Sequence, residues 1–278
     1  MLRERHEQAA AMRTADGHMS WRRAHAQGRL CNRLFSKCGI IDIVILKIQY
    51  HFGDIMVIIC SVLFCTASIV HLVFCAQEND TYRKATKPLL MPLLALTTIA
   101  ALAPFLSASR STLLLTVLAL MFGFAGDILL INKSKTKVLL GTGFFFIGHA
   151  LWIAQYIESC KSFSIWVYAV AAICYIIAIA LVHRIIGKPK GALCFGFIVY
   201  ASALCLLNFT GIAAVHAYKT VSALFYAIGS LFFIASDTML ARTLLKSKFP
   251  KSRFLIMATY ITAQTLLTCG VVLPYFHL

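Results

Sequence analysis

Beyond residue 50 the chain alternates between long apolar runs and short polar breaks. Eight runs, near 55–76, 88–106, 112–131, 138–157, 165–186, 191–215, 220–241 and 254–276, are each long enough to cross a membrane as a helix, given about 30 Å of hydrocarbon and about 1.5 Å of rise per residue. The breaks are short and rich in Lys, Ser, Thr and Asn, as in Asn132 to Lys137 and Arg242 to Arg253, so neighbouring helices must run antiparallel. The pattern predicts an all-α integral membrane protein, a bundle of about eight transmembrane helices. Residues 1–49 read differently. They are polar and basic, no uninterrupted apolar segment follows an early basic stretch as in a signal peptide, and the run from Gly39 to Tyr50 is broken by Asp42 and Lys47. The expected organisation is a basic N-terminal tail over 1–49, disordered or interfacial near its end, and one eight-span membrane domain over 50–278.

Composition supports the bilayer. Hydrophobic residues make up 60% and charged residues 13% of the chain, with a mean hydropathy of +0.82, whereas soluble domains carry about 25% charged residues. The formal charge of +16 would suggest nucleic acid in a soluble protein. Here the cations crowd into loops between apolar runs, where they orient the chain and meet lipid phosphates, so the bilayer and not nucleic acid is the expected partner. Alternate loops hold 14 Lys and Arg residues, against Arg110, Lys161 and Lys219 in the loops between them. The positive-inside rule makes the first set cytosolic. The basic tail then falls on the poorly charged side, but the repeated loop signal outweighs one tail. The ten cysteines show no C-x-x-C spacing and read as small core hydrophobes, with neither disulfide nor metal implied.

Within this apolar background two carboxylates stand out. Asp127 and Asp237 lie inside spans, where a carboxylate costs about 2.5–3.5 kcal/mol on the insertion scale and faces the bundle interior. Both are about one turn from the same membrane face, on helices running the same way, so the fold can bring them together as the pair that acid–base hydrolysis uses. His149 lies mid-way along the fourth span, and Tyr260 and Gln264, four apart, share one face of the last helix. Lys87 and Lys188 fall on the face nearest both aspartates, where they would attract a phosphate. A weak internal repeat pairs Lys87-Pro88 with Lys188-Pro189, Gly126-Asp127-x-x-Leu130 with Ser236-Asp237-x-x-Leu240, and Ala154-Gln155 with Ala263-Gln264. It suggests two four-helix halves with a site where they meet. No G-x-S-x-G, H-E-x-x-H, Walker A or cysteine-based zinc pattern occurs.

Taken in order and spacing over roughly residues 55–276, these elements resemble the lysoplasmalogenase (YhhN-like) family of membrane proteins. The resemblance is carried by Lys87-Pro88, Gly126-Asp127-x-x-Leu130, Gly148-His149 after Phe144-Phe145-Phe146, Phe233-x-x-Ser236-Asp237 and Tyr260-x-x-Ala263-Gln264. Trp152 stands where the family usually has a tyrosine, and Ile261 replaces the second tyrosine of the last motif. The resemblance implies hydrolysis of the vinyl-ether bond of lysoplasmalogens to a fatty aldehyde and a glycerophospho-alcohol, without an organic cofactor. Asp127, Asp237 and His149 would be catalytic, with Lys87, Lys188, Tyr260 and Gln264 binding a lysophospholipid. In a eukaryotic cell the expected location is the endoplasmic reticulum membrane.

The residues by themselves also fit a proton-coupled small-molecule transporter, a metal hydrolase with Asp127, His149 and Asp237 as ligands, or a non-catalytic lipid-binding membrane protein. The orientation carries its own reporters. Asn79-Asp80-Thr81 and Asn132-Lys133-Ser134 are glycosylation sequons in loops assigned to the cytosol. Both should stay unmodified in a eukaryotic host, and a glycan on either, seen as a gel shift reversed by glycosidase, would invert the topology.

Overall fold

A computed structural model describes residues 40–131, 134–186 and 192–276, without the side chains of residues 40–52 and of several residues at helix ends. Most of the 1–49 tail, the Asn132 sequon and Lys188 lie outside the described residues. Every regular element among those described is helical. The α-helices are α1 (Ile40–Ala76), α2 (Asp80–Thr86), α3 (Leu90–Leu102), α4 (Leu106–Ile131), α5 (Lys135–Tyr156), α6 (Ile165–Ile186), α7 (Ala192–Tyr218), α8 (Val221–Leu245) and α9 (Ser252–Val272). Helix α1 begins at Ile40, through Asp42 and Lys47, and its residues from Gly53 onward belong to the bundle.

Among the described residues six helical stretches are long and apolar enough to cross a membrane: Gly53–Ala76, Asp80–Ile131, Thr136–Lys161, Phe195–Tyr218, Val221–Leu245 and Ser252–Tyr275. The sequence suggests eight runs; the difference has two sources. The runs at 88–106 and 112–131 join in the 52-residue stretch Asp80–Ile131, and the run at 165–186 holds a shorter apolar helix, Ile165–Ala180. The joined stretch is not straight. Lys87 near its start meets Asp127 near its end, so its two halves lie side by side. The bend falls at the 3₁₀ turn Ala103–Phe105, where Pro104 supplies a fixed φ and no N–H. There the Ser109 hydroxyl donates to the Leu102 carbonyl at 3.3 Å. Ser107 to Ser111, polar enough to look like a loop, are instead the first turns of α4.

Local chemistry starts the helices where the polar breaks fall. Asn79 accepts from the Tyr82 N–H, Ser134 from the Lys137 N–H and Thr220 from the Ala223 N–H, each capping donors that would otherwise be orphaned. Outward faces carry large apolar side chains, Ile58 and Val62 on α1, Trp166 and Ile176 on α6, while Asp127, His149, Gln264 and Ser230 are buried. Such an inside-out distribution is what a hydrocarbon solvent favours. The molecule is a multi-pass membrane bundle.

Helices in lipid gain little from excluding water, so they associate by close packing. The α8–α9 hairpin does this through small residues. A Cβ on Gly270 would meet Tyr226 Cβ at 2.8 Å and the Ser222 carbonyl at 2.9 Å, and one on Gly229 would meet the Leu267 nitrogen at 2.9 Å. Gly270→Ala should therefore lower stability by about 1–3 kcal/mol, the usual cost of overpacking. Gly143→Ala, where nothing lies within 4 Å, should not. Thermal unfolding of the two purified variants in detergent checks the contrast.

Candidate active site

The buried polar groups converge near one end of the bundle. Lys87 lies in the 3₁₀ turn Lys87–Leu89 that leads into α3, with Pro88 setting the turn. Its Nζ stands 2.8 Å from Asp127 Oδ1, both side chains being almost wholly buried. The other carboxylate oxygen of Asp127 accepts from the Tyr260 hydroxyl at 3.0 Å. Asp127 is thus held from the turn before α3 and from α9 at once. Gln264, one turn beyond Tyr260 on the same helix face, is close enough to the Tyr260 hydroxyl to interact with it. At the outer rim Arg253 donates to the Glu78 carbonyl at 3.2 Å and to Asp80 Oδ2 at 3.3 Å, linking the start of α9 to the start of α2.

Asp237 has different company. It accepts a hydrogen bond from the Tyr200 hydroxyl of α7, and no ion pair with Lys or Arg is found for it among the described residues. The two carboxyl groups are close enough to interact electrostatically. Aromatic contacts link them through the core. Phe233 packs edge-on against Tyr260 at 5.7 Å and against His149 at 4.5 Å, and His149 lies 5.4 Å edge-on from Tyr200. His149 is 1% exposed, and neither ring nitrogen reaches hydrogen-bond geometry, although the Phe145 carbonyl one turn back interacts with the ring.

A tight crevice, without room for a water-sized sphere as it stands, runs between α4, α5, α8 and α9, lined by Ala119, Gly123, Phe145, Gly148, His149, Trp152, Phe233 and Gln264. Small residues open it: a Cβ on Gly123 would stand 3.3 Å from Tyr260 Oη and 3.4 Å from Gln264 Nε2. At its deep end the Tyr226 hydroxyl donates to the Trp152 carbonyl.

The structure brings Asp127, Asp237, His149, Lys87, Tyr260 and Gln264 into one connected cluster; Lys188 lies outside the described residues. Lys87 is not a free cation awaiting phosphate, since Asp127 already engages it. The repeat pairing of glutamines does not extend to their surroundings. Gln155 donates to the Thr112 carbonyl at 3.2 Å and to Thr116 Oγ1 at 2.9 Å, tying α5 to α4, whereas Gln264 faces the crevice. Tyr200 and Trp152 are additions. Tyr200 carried no sequence signal beyond being a tyrosine in mid-span, and Trp152 was visible only as a departure from the family pattern. Among the described residues no three His, Cys, Asp or Glu side chains group closely enough to hold a metal ion, so Asp127, His149 and Asp237 do not form a ligand set in this arrangement.

Residues 82–271 match the model of the YhhN family, and the chain belongs to that family, whose members include lysoplasmalogenases. Neither the curated proteins nor the solved structures give a significant match.

Breaking a buried ion pair on one side leaves the other charge uncompensated, at about 3–5 kcal/mol. Lys87→Met should therefore destabilise the protein by about that much, and Lys87→Met with Asp127→Asn should recover most of the loss. Thermal unfolding of the single and double variants measures both. An additive double variant would mean that the two residues act independently.

Proposed function

We propose that the protein is a lysoplasmalogenase-type hydrolase, taking a 1-alkenyl lysophospholipid to a fatty aldehyde and a glycerophospho-alcohol. The observation that carries this reading is the asymmetry of the aspartates. In a chain of this family, one buried carboxyl is held by a lysine and a tyrosine, and the other by a tyrosine alone. Two carboxyl groups in unlike surroundings can divide acid and charge-stabilising roles.

Asp237, lacking the cation, is the proton donor. Its proton goes to the vinyl carbon remote from the ether oxygen; the C=C pair forms the new C–H bond, and the oxygen lone pair completes an oxocarbenium ion. Asp127, kept anionic by Lys87, faces the developing positive charge. Water adds to the oxocarbenium carbon and returns a proton to Asp237. The hemiacetal then collapses, its carbon–oxygen bond to glycerol breaking as the glycerol oxygen gains a proton and the aldehyde forms. Tyr260 and Gln264 fix Asp127, Tyr200 fixes Asp237, and His149 orients the water. No organic cofactor takes part in these steps. The headgroup phosphate is drawn to the basic loops, to Lys188 and to Lys87, whose ammonium has three donors and spends one on Asp127.

In the same reading the bundle crosses the membrane eight times, as two four-helix halves. The doubling back of Asp80–Ile131 at Pro104 and the apolar helix Ile165–Ala180 support that count. A eukaryotic copy would reside in the endoplasmic reticulum.

Purified protein in detergent should release aldehyde from lysoplasmalogen. Asp127→Asn and Asp237→Asn should each cost at least about 100-fold in kcat, the scale of general acid catalysis. His149→Ala should cost less. Near-native aldehyde release from either Asp→Asn protein, with folding unchanged, would assign the carboxylates to structure instead.

A further inference from the structure

Three side chains lining the crevice have buried polar atoms without a well-formed hydrogen bond: both ring nitrogens of His149, which has only the nearby Phe145 carbonyl, the indole N–H of Trp152 and the Oε1 of Gln264. Their residues are 1%, 1% and 2% exposed. Each orphaned group costs free energy in a folded protein, typically about 1–3 kcal/mol. They are four of the seven such atoms among the described residues, the others being on Ser68, Arg242 and Thr268, whereas buried polar groups in folded proteins are nearly all satisfied.

The groups are also complementary in kind. The indole donates only, the Gln264 oxygen accepts only, and a neutral imidazole does one at each nitrogen. A ligand that satisfies such a set must both accept and donate, which is the property of a neutral hydroxyl oxygen. Along their helices the lining residues Gly123 and Ala119 precede Asp127 by one and two turns and Phe233 precedes Asp237 by one, on the side away from the basic breaks at 132–137 and 242–253. A lipid hydroxyl next to the headgroup would sit on the other side of the reacting bond. Water has no such constraint.

We propose that the crevice seats the hydrolytic water, with Trp152 donating to its oxygen and Gln264 and His149 accepting its protons. This rests on the hydrolase reading and adds Trp152 to it. The crevice is tight in this arrangement, its empty space too thinly spread for a water-sized sphere. Seating the water therefore requires the Gln264 side chain, which has three torsions, to swing aside.

The test uses full-length protein in detergent with its three tryptophans labelled at the indole nitrogen. The NMR signal lost in Trp152→Phe identifies the Trp152 N–H. In the wild type that signal should show cross-relaxation from water. Gly123→Ala, which fills the crevice beside Gln264 without removing a polar group, should abolish the cross-peak while keeping the indole signal. Trp152→Phe should stay folded and unfold cooperatively in detergent, with the loss of stability that trimming a buried side chain brings. It should bind a non-hydrolysable 1-O-alkyl lysophospholipid within about twofold of wild type, and lose at least about tenfold in kcat at nearly constant KM.

Absence of the water cross-peak would overturn the proposal. So would a folded Trp152→Phe with kcat unchanged, which is the behaviour of a packing residue. A cross-peak that appears only with bound lysolipid, and not with its 2-deoxy analogue, would assign the crevice to the lipid hydroxyl and overturn the water assignment. Should the wild type release no aldehyde, the hydrolase reading fails separately, and the indole–water contact still decides whether the crevice holds water.

Discussion

The arrangement depends on the ion pair between Lys87 and Asp127. Each charge would be expensive alone at this depth, and the effective desolvation cost is several kcal/mol per ion. Paired at 2.8 Å, with Tyr260 on the second carboxylate oxygen, they can remain charged in an apolar bundle. The pair also fixes geometry. It holds the turn before α3 against the end of α4, so that the long apolar stretch doubles back, and Tyr260 brings α9 to the same point. Asp237 is then placed nearby by α8, and it differs from Asp127 chiefly in having a tyrosine and no lysine beside it.

Around this point the bundle is built unlike a soluble core. Tight contacts come from Gly229 and Gly270 on α8 and α9, where backbone meets backbone, and polar side chains serve as cross-links, as Gln155 does between α5 and α4. Small residues have a second use at Gly123 and Gly148, which line the crevice beside His149 and Gln264. The buried polar atoms of His149, Trp152 and Gln264 that lack hydrogen bonds lie along the same crevice.

Much of this was legible in the sequence, because lipid imposes simple rules. Apolar runs separated by basic breaks indicate a helical membrane bundle, and two isolated aspartates indicate its interior. The less legible features have physical causes. Asp42 and Lys47 do not stop α1, since neither residue type breaks a helical backbone, and the polar Ser107 to Ser111 segment is helical because Pro104 completes the turn before it. Nor does helical spacing reveal which tyrosine meets which carboxylate. Tyr260 was singled out by its spacing from Gln264, but Tyr200, equally placed, had no such neighbour. The matching motifs around Gln155 and Gln264 concealed different partners, because a repeat in sequence constrains helix position more than side-chain bonding.

The central claim is that a carboxyl group inside the bundle protonates a vinyl-ether carbon. Carrying out the reaction in D₂O and trapping the aldehyde as it forms tests that step directly, because the carbon next to the carbonyl is where the enzyme's proton must arrive. The account predicts aldehyde carrying one deuterium at that carbon, formed by the wild type and lost with Asp237→Asn. Aldehyde without deuterium there, or deuterated aldehyde from Asp237→Asn at the wild-type rate, would contradict it.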